Sequence, residues 1–95
     1  SIEDEQSSLK VYPNPFSGTT NIKLTFESLQ RVEAKIYNLS GELVITLHDG
    51  YLEAGEHQLI WDAKNLSGAE VPQGIYIIRV ISGDNVEQKT IVKTL

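Results

Sequence analysis

The side chains able to support chemistry are few in this chain, and their spacing does not assemble a catalytic site. The sequence has two histidines, His48 and His57, and no cysteine, which excludes a cysteine nucleophile and any zinc set that needs one. A serine nucleophile in the strained elbow Gly-x-Ser-x-Gly is also missing. Paired carboxylates remain open from spacing alone, but a domain of 95 residues offers no deep cleft for a glycan. We predict no catalytic activity, no cofactor and no metal.

The polar segment 62–73 contains oxygen ligands of the kind that calcium prefers, in Asp62, Asn65 and Ser67. The alternating acidic pattern of an EF-hand loop is missing, and the segment supplies one formal charge, or two if Glu70 reaches the same site. Side-chain hydrogen bonds to the backbone of a turn explain the same residues. We predict such a turn, and calcium binding stays open as the alternative.

Charge and composition exclude two further classes of protein. The net charge is -5 and the eight basic residues are scattered, whereas a nucleic-acid binder needs clustered lysine and arginine. No apolar run approaches the roughly 20 residues of a transmembrane helix. Residues 1–8 are polar, with three consecutive acids, and are predicted to end an acidic linker. We predict one domain over residues 9–95.

Short alternating segments predict an all-β fold with seven strands and no helix. In the clearest of them Ile22, Leu24 and Phe26 share one face, which predicts one buried and one wet side. Segment 75–81 is apolar on both faces, which is typical of an interior strand. Residues 49–55 are predicted to form a loop that contains Tyr51 and Leu52. The predicted strands are 9–12, 19–26, 32–37, 43–47, 57–61, 75–81 and 86–94, with a hairpin joining the third and fourth.

The aromatic residues indicate where the core lies. Trp61 is the predicted centre of the core, with Phe26 and Ile36 packed around it, because a buried tryptophan removes more surface from water than any other side chain. Tyr76 is expected to bury its ring and donate its hydroxyl hydrogen to a nearby backbone carbonyl. The string Asn-Leu-Ser-Gly occurs twice, at 38–41 and 65–68, which predicts one turn conformation used twice.

Two segments have a structural and a functional interpretation. The run Pro13-Asn14-Pro15-Phe16 is conformationally restricted, so it is either a rigid corner between two strands or a recognition surface that loses little entropy on binding. Lys89 and Lys93 lie on the same face of the last strand. They form either a basic patch or a protection of an open sheet edge.

These landmarks, in this order and spacing, resemble the type A C-terminal sorting domain of type IX secretion. The resemblance runs from about residue 9 to residue 95. One departure is Ala63, which follows Asp62 at a position where the family often has glycine. The residues that carry the resemblance are Tyr12-Pro13-Asn14-Pro15-Phe16, Ile36-Tyr37-Asn38, Gly41, Val44, Gly55-Glu56-His57, Trp61-Asp62, Gly68, Val71, Gly74-Ile75-Tyr76 and 89–95.

The resemblance implies a seven-stranded antiparallel Ig-like Greek-key β-sandwich that addresses an N-terminally linked cargo protein in Bacteroidota. The cargo would pass from the periplasm through an outer-membrane translocon. A cysteine-protease sortase would then remove the domain, leaving the cargo secreted or on the cell surface. A signal near residue 95 would be read at a free C-terminus. The implied translocon and sortase recognition residues are Pro13, Asn14, Pro15, Gly74, Tyr76, Lys89 and Lys93.

A second hypothesis is a permanent Ig-like accessory module, or a carbohydrate-binding module, on an extracellular enzyme. The Trp61-Asp62 loop and the Gly74-x-Tyr76 strand also resemble the Ig-like module of the flagellar hook-capping protein, so part of the pattern reports fold alone. Sugar binding requires exposed aromatic rings. The candidates are Tyr12, Tyr37 and Tyr51.

Overall fold

A computed structural model describes residues 9–95, so the predicted linker at 1–8 lies outside the described residues. Residues 9–95 form seven strands and no helix, as the sequence predicts. None of the described residues therefore belongs to a helix that could cross a membrane. The strands are β1 (Leu9–Tyr12), β2 (Thr20–Phe26), β3 (Gln30–Asn38), β4 (Leu43–Leu52), β5 (Gly55–Trp61), β6 (Gly74–Ser82) and β7 (Asn85–Lys93).

The strands pair into two antiparallel sheets, in the orders β1-β2-β5 and β4-β3-β6-β7. This arrangement confirms the predicted Ig-like sandwich, with the β3–β4 hairpin in the larger sheet. The strand β6 lies between β3 and β7, which explains why its sequence is apolar on both faces. The strand β7 is an edge of the larger sheet.

The fourth strand is longer than its sequence predicts. We expected it to end at residue 47 and Tyr51 and Leu52 to lie in a loop, but β4 runs to Leu52. This prediction was wrong because Asp49 and Gly50 are turn-forming residues by composition, whereas here they pair with β3. The pairing of β3 with β4 also shifts register between Ala34 and Lys35 and again between Ile36 and Tyr37. Such irregularities break the strict alternation on which a sequence-based strand prediction depends.

The core lies between the two sheets and is built from alternate residues of each strand. Trp61, Phe26 and Ile36 are all buried, and Trp61 has no exposed surface, which confirms the predicted core centre. The Trp61 indole Nε1 donates a hydrogen bond to the Lys64 carbonyl over 3.0 Å, so its one polar atom is satisfied. The buried apolar residues are Leu9, Phe16, Ile22, Leu24, Phe26, Val32, Ala34, Ile36, Val44, Trp61, Ala63, Val71, Tyr76, Ile78, Val80 and Ile91.

The two Asn-Leu-Ser-Gly strings adopt one turn conformation, as predicted. Asn38 Oδ1 accepts hydrogen bonds from the backbone N–H groups of residues 40 and 42, both over 3.0 Å. Asn65 Oδ1 accepts the equivalent bonds from residues 67 and 69, over 3.0 and 3.1 Å. The glycine of each string, Gly41 or Gly68, has a φ of 86°, which side chains rarely tolerate. The asparagine and the glycine are therefore both required by the turn.

Ala63 occupies the position where the sequence departs from its family pattern, and it has a φ of 63°. It is the one described residue other than glycine with a positive φ. A left-handed conformation costs an L-residue roughly 1–2 kcal/mol, which is why glycine suits this position. Ala63 is also buried, so its methyl group offsets part of that cost by packing in the core.

Replacing the core tryptophan tests whether the sandwich depends on Trp61. We expect Trp61→Phe to lower the free energy of unfolding by about 2 kcal/mol, through lost packing and an unsatisfied Lys64 carbonyl. Urea denaturation of the purified domain measures the change. The control is Ile60→Thr, on the exposed side of the same strand, with an expected loss below about 0.5 kcal/mol. Equal losses in the two variants would contradict the assignment.

Candidate recognition site

The four residues 13–16, here called the proline corner, connect β1 to the loop before β2. Both proline peptide bonds, Tyr12–Pro13 and Asn14–Pro15, are cis. Proline has no backbone N–H, so the corner cannot extend a strand ladder through Pro13 or Pro15. Its inner side is held by Thr20, whose buried hydroxyl donates a hydrogen bond to the Pro13 carbonyl over 2.8 Å.

The proline corner covers the outer edge of β7. Asn14 donates from Nδ2 to the Thr90 carbonyl over 2.8 Å, and its Oδ1 accepts from the Val92 N–H over 2.9 Å. Next to it, Phe16 N–H donates to the Val92 carbonyl over 2.9 Å, and the Thr94 N–H donates to the Phe16 carbonyl over 2.8 Å. The Thr94 hydroxyl also donates to the Phe16 carbonyl over 3.2 Å, so segments 76 to 78 residues apart in sequence are joined by five hydrogen bonds. The C-terminal part of this edge strand is not left unpaired.

Below the corner, three aromatic rings anchor it in the core. The Phe16 ring lies 5.5 Å from the Trp61 ring, and the Trp61 ring lies 5.3 Å from the Tyr76 ring, nearly edge to face. Such tilted pairs are favourable beyond the area that they bury. Phe16 is buried and anchors the corner, and Trp61 is the ring that connects the corner to β6.

The glycine and tyrosine of β6 lie opposite the end of β7. Gly74 pairs in register with Lys93, and Tyr76 pairs with Ile91. The Tyr76 hydroxyl donates to the Pro72 carbonyl over 2.6 Å, as expected for a tyrosine at a strand corner. Gly74 has a φ of 151°, while open space surrounds a Cβ built there, so backbone conformation rather than crowding selects glycine.

Lys93 is buried, with 4% of its side chain exposed. Its ammonium group pairs with Glu70 Oε2 over 3.1 Å and donates to the Thr94 carbonyl over 3.3 Å. Lys89 lies on the same inward face of β7 and is half-buried, paired in register with Ile78. The prediction that the two lysines share a face is confirmed. The interpretation of both as a basic surface patch was wrong, because Lys93 is buried. Inward-pointing charges are instead a means by which edge strands discourage strand addition.

Burial raises the pKa of the Tyr76 phenol above its ordinary value of 10.0, and the nearby Lys93 ammonium opposes part of that rise. The phenol therefore stays protonated at neutral pH and remains a hydrogen-bond donor. Tyr76 and Lys93 are parts of one packed unit at this end of the sandwich.

The structure brings together residues that the sequence placed in three separate motifs. One unit around the end of β7 contains Asn14, Phe16, Tyr76 and Lys93. Lys89 lies outside it, four residues before Lys93 on the strand. Glu70 could not be identified from the sequence as the partner of Lys93, because ion pairs between a loop and a distant strand have no spacing signature. The hydrogen bonds from Asn14 to β7 were also missed, because contacts between residues far apart in sequence leave no local pattern.

The segment considered for calcium binding forms a hydrogen-bonded turn. Asn65 Oδ1 already accepts from the Ser67 N–H and hydroxyl and from the Ala69 N–H, and Asp62 Oδ1 accepts from the Lys64 N–H. The predicted turn is confirmed. Within residues 9–95, the structure places no three His, Cys, Asp or Glu side chains where they could hold a metal ion together.

The three tyrosines considered for sugar binding are divided between the outer faces of the two sheets. Tyr12 is exposed on the outer face of the smaller sheet, where it pairs with Asn21. Tyr37 and Tyr51 lie on the outer face of the larger sheet, and Tyr51 pairs with Arg31, six residues before Tyr37 along β3. At about 3.3 Å per residue the two rings are roughly 20 Å apart. No aromatic platform results from these three residues.

The chain is similar to known proteins in sequence and in fold. A family model described as "Secretion system C-terminal sorting domain" matches residues 10–94. The basal-body rod modification proteins FlgD of Salmonella typhimurium and Salmonella typhi are 38% identical over 58 residues, which is 61% of this chain. The match spans 25% of the length of these relatives.

Two solved structures share the fold. Dimeric latent PorU from Porphyromonas gingivalis superposes with a TM-score of 0.71 at 17% identity, over 90% of this chain and 9% of that chain. PorZ, described as a surface component of the type-IX secretion system of the same organism, gives a TM-score of 0.67 at 20% identity, over 92% of this chain and 11% of that chain. At these identities the likeness shows a common fold.

Removing the Asn14 amide tests whether the proline corner holds the end of β7. We expect Asn14→Ala to increase hydrogen exchange at the Val92 amide by about tenfold, because a local contact worth roughly 1–1.5 kcal/mol is lost. Amides in the centre of β6 are expected to change less. The control is Asn21→Ala, which removes surface hydrogen bonds on the other sheet. Unchanged exchange at Val92 would show that Asn14 does not hold the strand.

Alkaline pH tests the burial of the Tyr76 phenol. A raised pKa in the folded state means that the phenol's contribution to stability is fully present below pH 10.0 and is lost as pH rises through the folded-state pKa. We expect the free energy of unfolding to fall less steeply above pH 10 in Tyr76→Phe than in the wild type. Tyr51→Phe, at an exposed position, is expected to keep the wild-type slope. Urea denaturation from pH 7 to 11 measures both.

Proposed function

The chain belongs to the secretion system C-terminal sorting domains, the C-terminal signals of type IX secretion, and we propose that its cargo is a protein linked to its N-terminus. The cargo crosses the periplasm and leaves through the outer-membrane translocon, so its destination is the exterior or the cell surface. A cysteine-protease sortase then removes the domain. The domain acts as an address and not as a catalyst, because the family to which it belongs is a signal.

The observation that supports this proposal is the proline corner bonded along the edge of β7. Asn14 and Phe16 bond to Val92 and Thr94, 78 residues away in sequence, so the unit exists only in the folded domain. A receptor that binds this unit therefore reads a folded domain rather than a linear peptide. The rigidity of the unit limits the entropy lost on binding.

Exposure divides the proposed recognition residues into two groups. Pro13, Asn14 and Pro15 are exposed, and Lys89 is half-buried, so a partner can contact them. The others act through the fold: Gly74 sets the start of β6, and Tyr76 and Lys93 are buried beside the corner. Their substitution disturbs recognition by displacing the corner and the end of β7.

A reporter fusion tests the proposal. We expect a reporter with residues 1–95 at its C-terminus to reach the medium or cell surface of a type IX-secreting bacterium. Deleting 89–95 would also remove Ile91 from the core, so a point variant is the cleaner probe. Lys89→Gln is expected to lower the exported fraction by about tenfold, which corresponds to about 1.4 kcal/mol of recognition.

The matched control is Lys10→Gln, at an exposed lysine on the outer face of the smaller sheet, with export within about twofold of wild type. Circular dichroism establishes that both variants are folded. If the wild-type fusion stays in the periplasm, the domain is not a sufficient address and the proposed function is wrong. If both lysine variants export equally, Lys89 is not a contact residue.

A further inference from the structure

The outer face of the larger sheet is unusually apolar for an exposed surface. Strand alternation places the buried residues of β3, β6 and β7 inward, so their neighbours in sequence point to the outer face. Four of the apolar side chains there are more than a third exposed, with Ile75 at 45% and Val86 at 55%. We call this surface the Arg79 face, formed by Tyr37, Leu43, Tyr51, Ile75, Ile77, Arg79, Ile81, Val86 and Val92.

The outer face of the smaller sheet is different in character. Its polar side chains pair with one another: Lys23 with Glu56 over 3.0 Å, and Gln58 with Asn21 over 2.7 Å. Its exposed apolar residues are Tyr12 and Ile60. Of the two outer sheet faces, the Arg79 face therefore carries more of the exposed apolar side chains, and extended apolar patches on a folded domain mark interaction sites.

Arg79 lies in the middle of its face and is held in a fixed orientation. Its guanidinium group lies 5.1 Å from the centre of the Tyr37 ring, and its Nε donates to Gln88 Oε1 over 2.6 Å. The other cations of this face have carboxylate partners, because Arg31 pairs with Asp49, and Lys35 pairs with Glu33. Among residues 9–95, no carboxylate lies within ion-pair distance of Arg79.

We propose that the Arg79 face is the surface by which the domain docks on its export machinery, against a protein surface that presents a carboxylate among apolar side chains. The proposal rests on the proposed function. Gln88 uses the Arg79 Nε–H, which leaves the edge formed by the two terminal amino groups for bidentate binding of a carboxylate. Arginine and tyrosine are also the residue types that contribute most often to binding energy at protein interfaces.

The extent and position of the face fit a transient contact. Four strands about 4.8 Å apart and roughly 30 Å long present about 600 Å², less than the ~800 Å² per partner of a standard stable interface. The face also continues into the proline corner, because Thr90 and Val92 carry the hydrogen bonds to Asn14. One partner can therefore contact both surfaces.

Charge reversal in the reporter fusion tests the docking surface. We expect Arg79→Glu to lower the exported fraction by about tenfold or more, with Arg79→Lys intermediate because lysine keeps the charge but not the bidentate geometry. The matched control is Lys10→Glu, the same charge change at an exposed residue of the opposite face, with export within about twofold of wild type. Thermal unfolding of each purified variant checks that the domain is folded.

A second pair of variants tests the apolar side chains of the Arg79 face without changing the net charge. Val86→Thr keeps a β-branched side chain and is expected to reduce export severalfold, whereas Ile60→Thr on the opposite face is expected not to. If the wild-type fusion is exported and Arg79→Glu and Val86→Thr are exported equally well, the docking surface is wrong and the proposed function stands. If the wild-type fusion is not exported, both fail.

Self-association is the competing use of the same face. Sedimentation of the purified domain measures it directly, and we expect a monomer at micromolar concentration, because two copies would bring two Arg79 charges together. A dimer that dissociates on Val86→Thr substitution would assign the face to a second copy of the chain and overturn the proposal.

Discussion

The clasp between Asn14 and the edge of β7 is the contact on which the organisation of this domain depends. One amide side chain satisfies a carbonyl and an N–H of the last strand, and the Phe16 backbone continues the pairing. Each such bond contributes roughly 1 kcal/mol net, so the set is a considerable part of the stability of a small domain. It also closes an edge that would otherwise accept a foreign strand.

The clasp is a property of the folded domain and not of a linear peptide. Residues 14–16 and 90–94 meet only in the folded domain. The rings of Phe16, Trp61 and Tyr76 pack in a row and connect the corner to β6. A cargo whose terminal domain is unfolded would not present this unit. The tertiary structure therefore brings motifs that are distant in sequence into one unit.

The two cations Lys93 and Arg79 lie in different surroundings. Lys93 is removed from solvent and paired with Glu70, so its charge stabilises a packed arrangement and is not offered to a partner. Arg79 is exposed, orientated by Tyr37 and without a carboxylate partner among the described residues. A chain of net charge -5 thus keeps one orientated cation on its most apolar face.

The sequence by itself determined the strands, the central tryptophan and the repeated turn, because alternation, ring size and turn chemistry are local properties. It failed at residues 49–52, where pairing with β3 overrides two turn-forming residues. Only the tertiary structure decided that Lys93 is buried and that Asn14 covers β7, since burial and long-range pairing depend on which strands become neighbours. The family resemblance supplied the candidate residues, whereas the union of several of them into one unit was visible only in the tertiary structure.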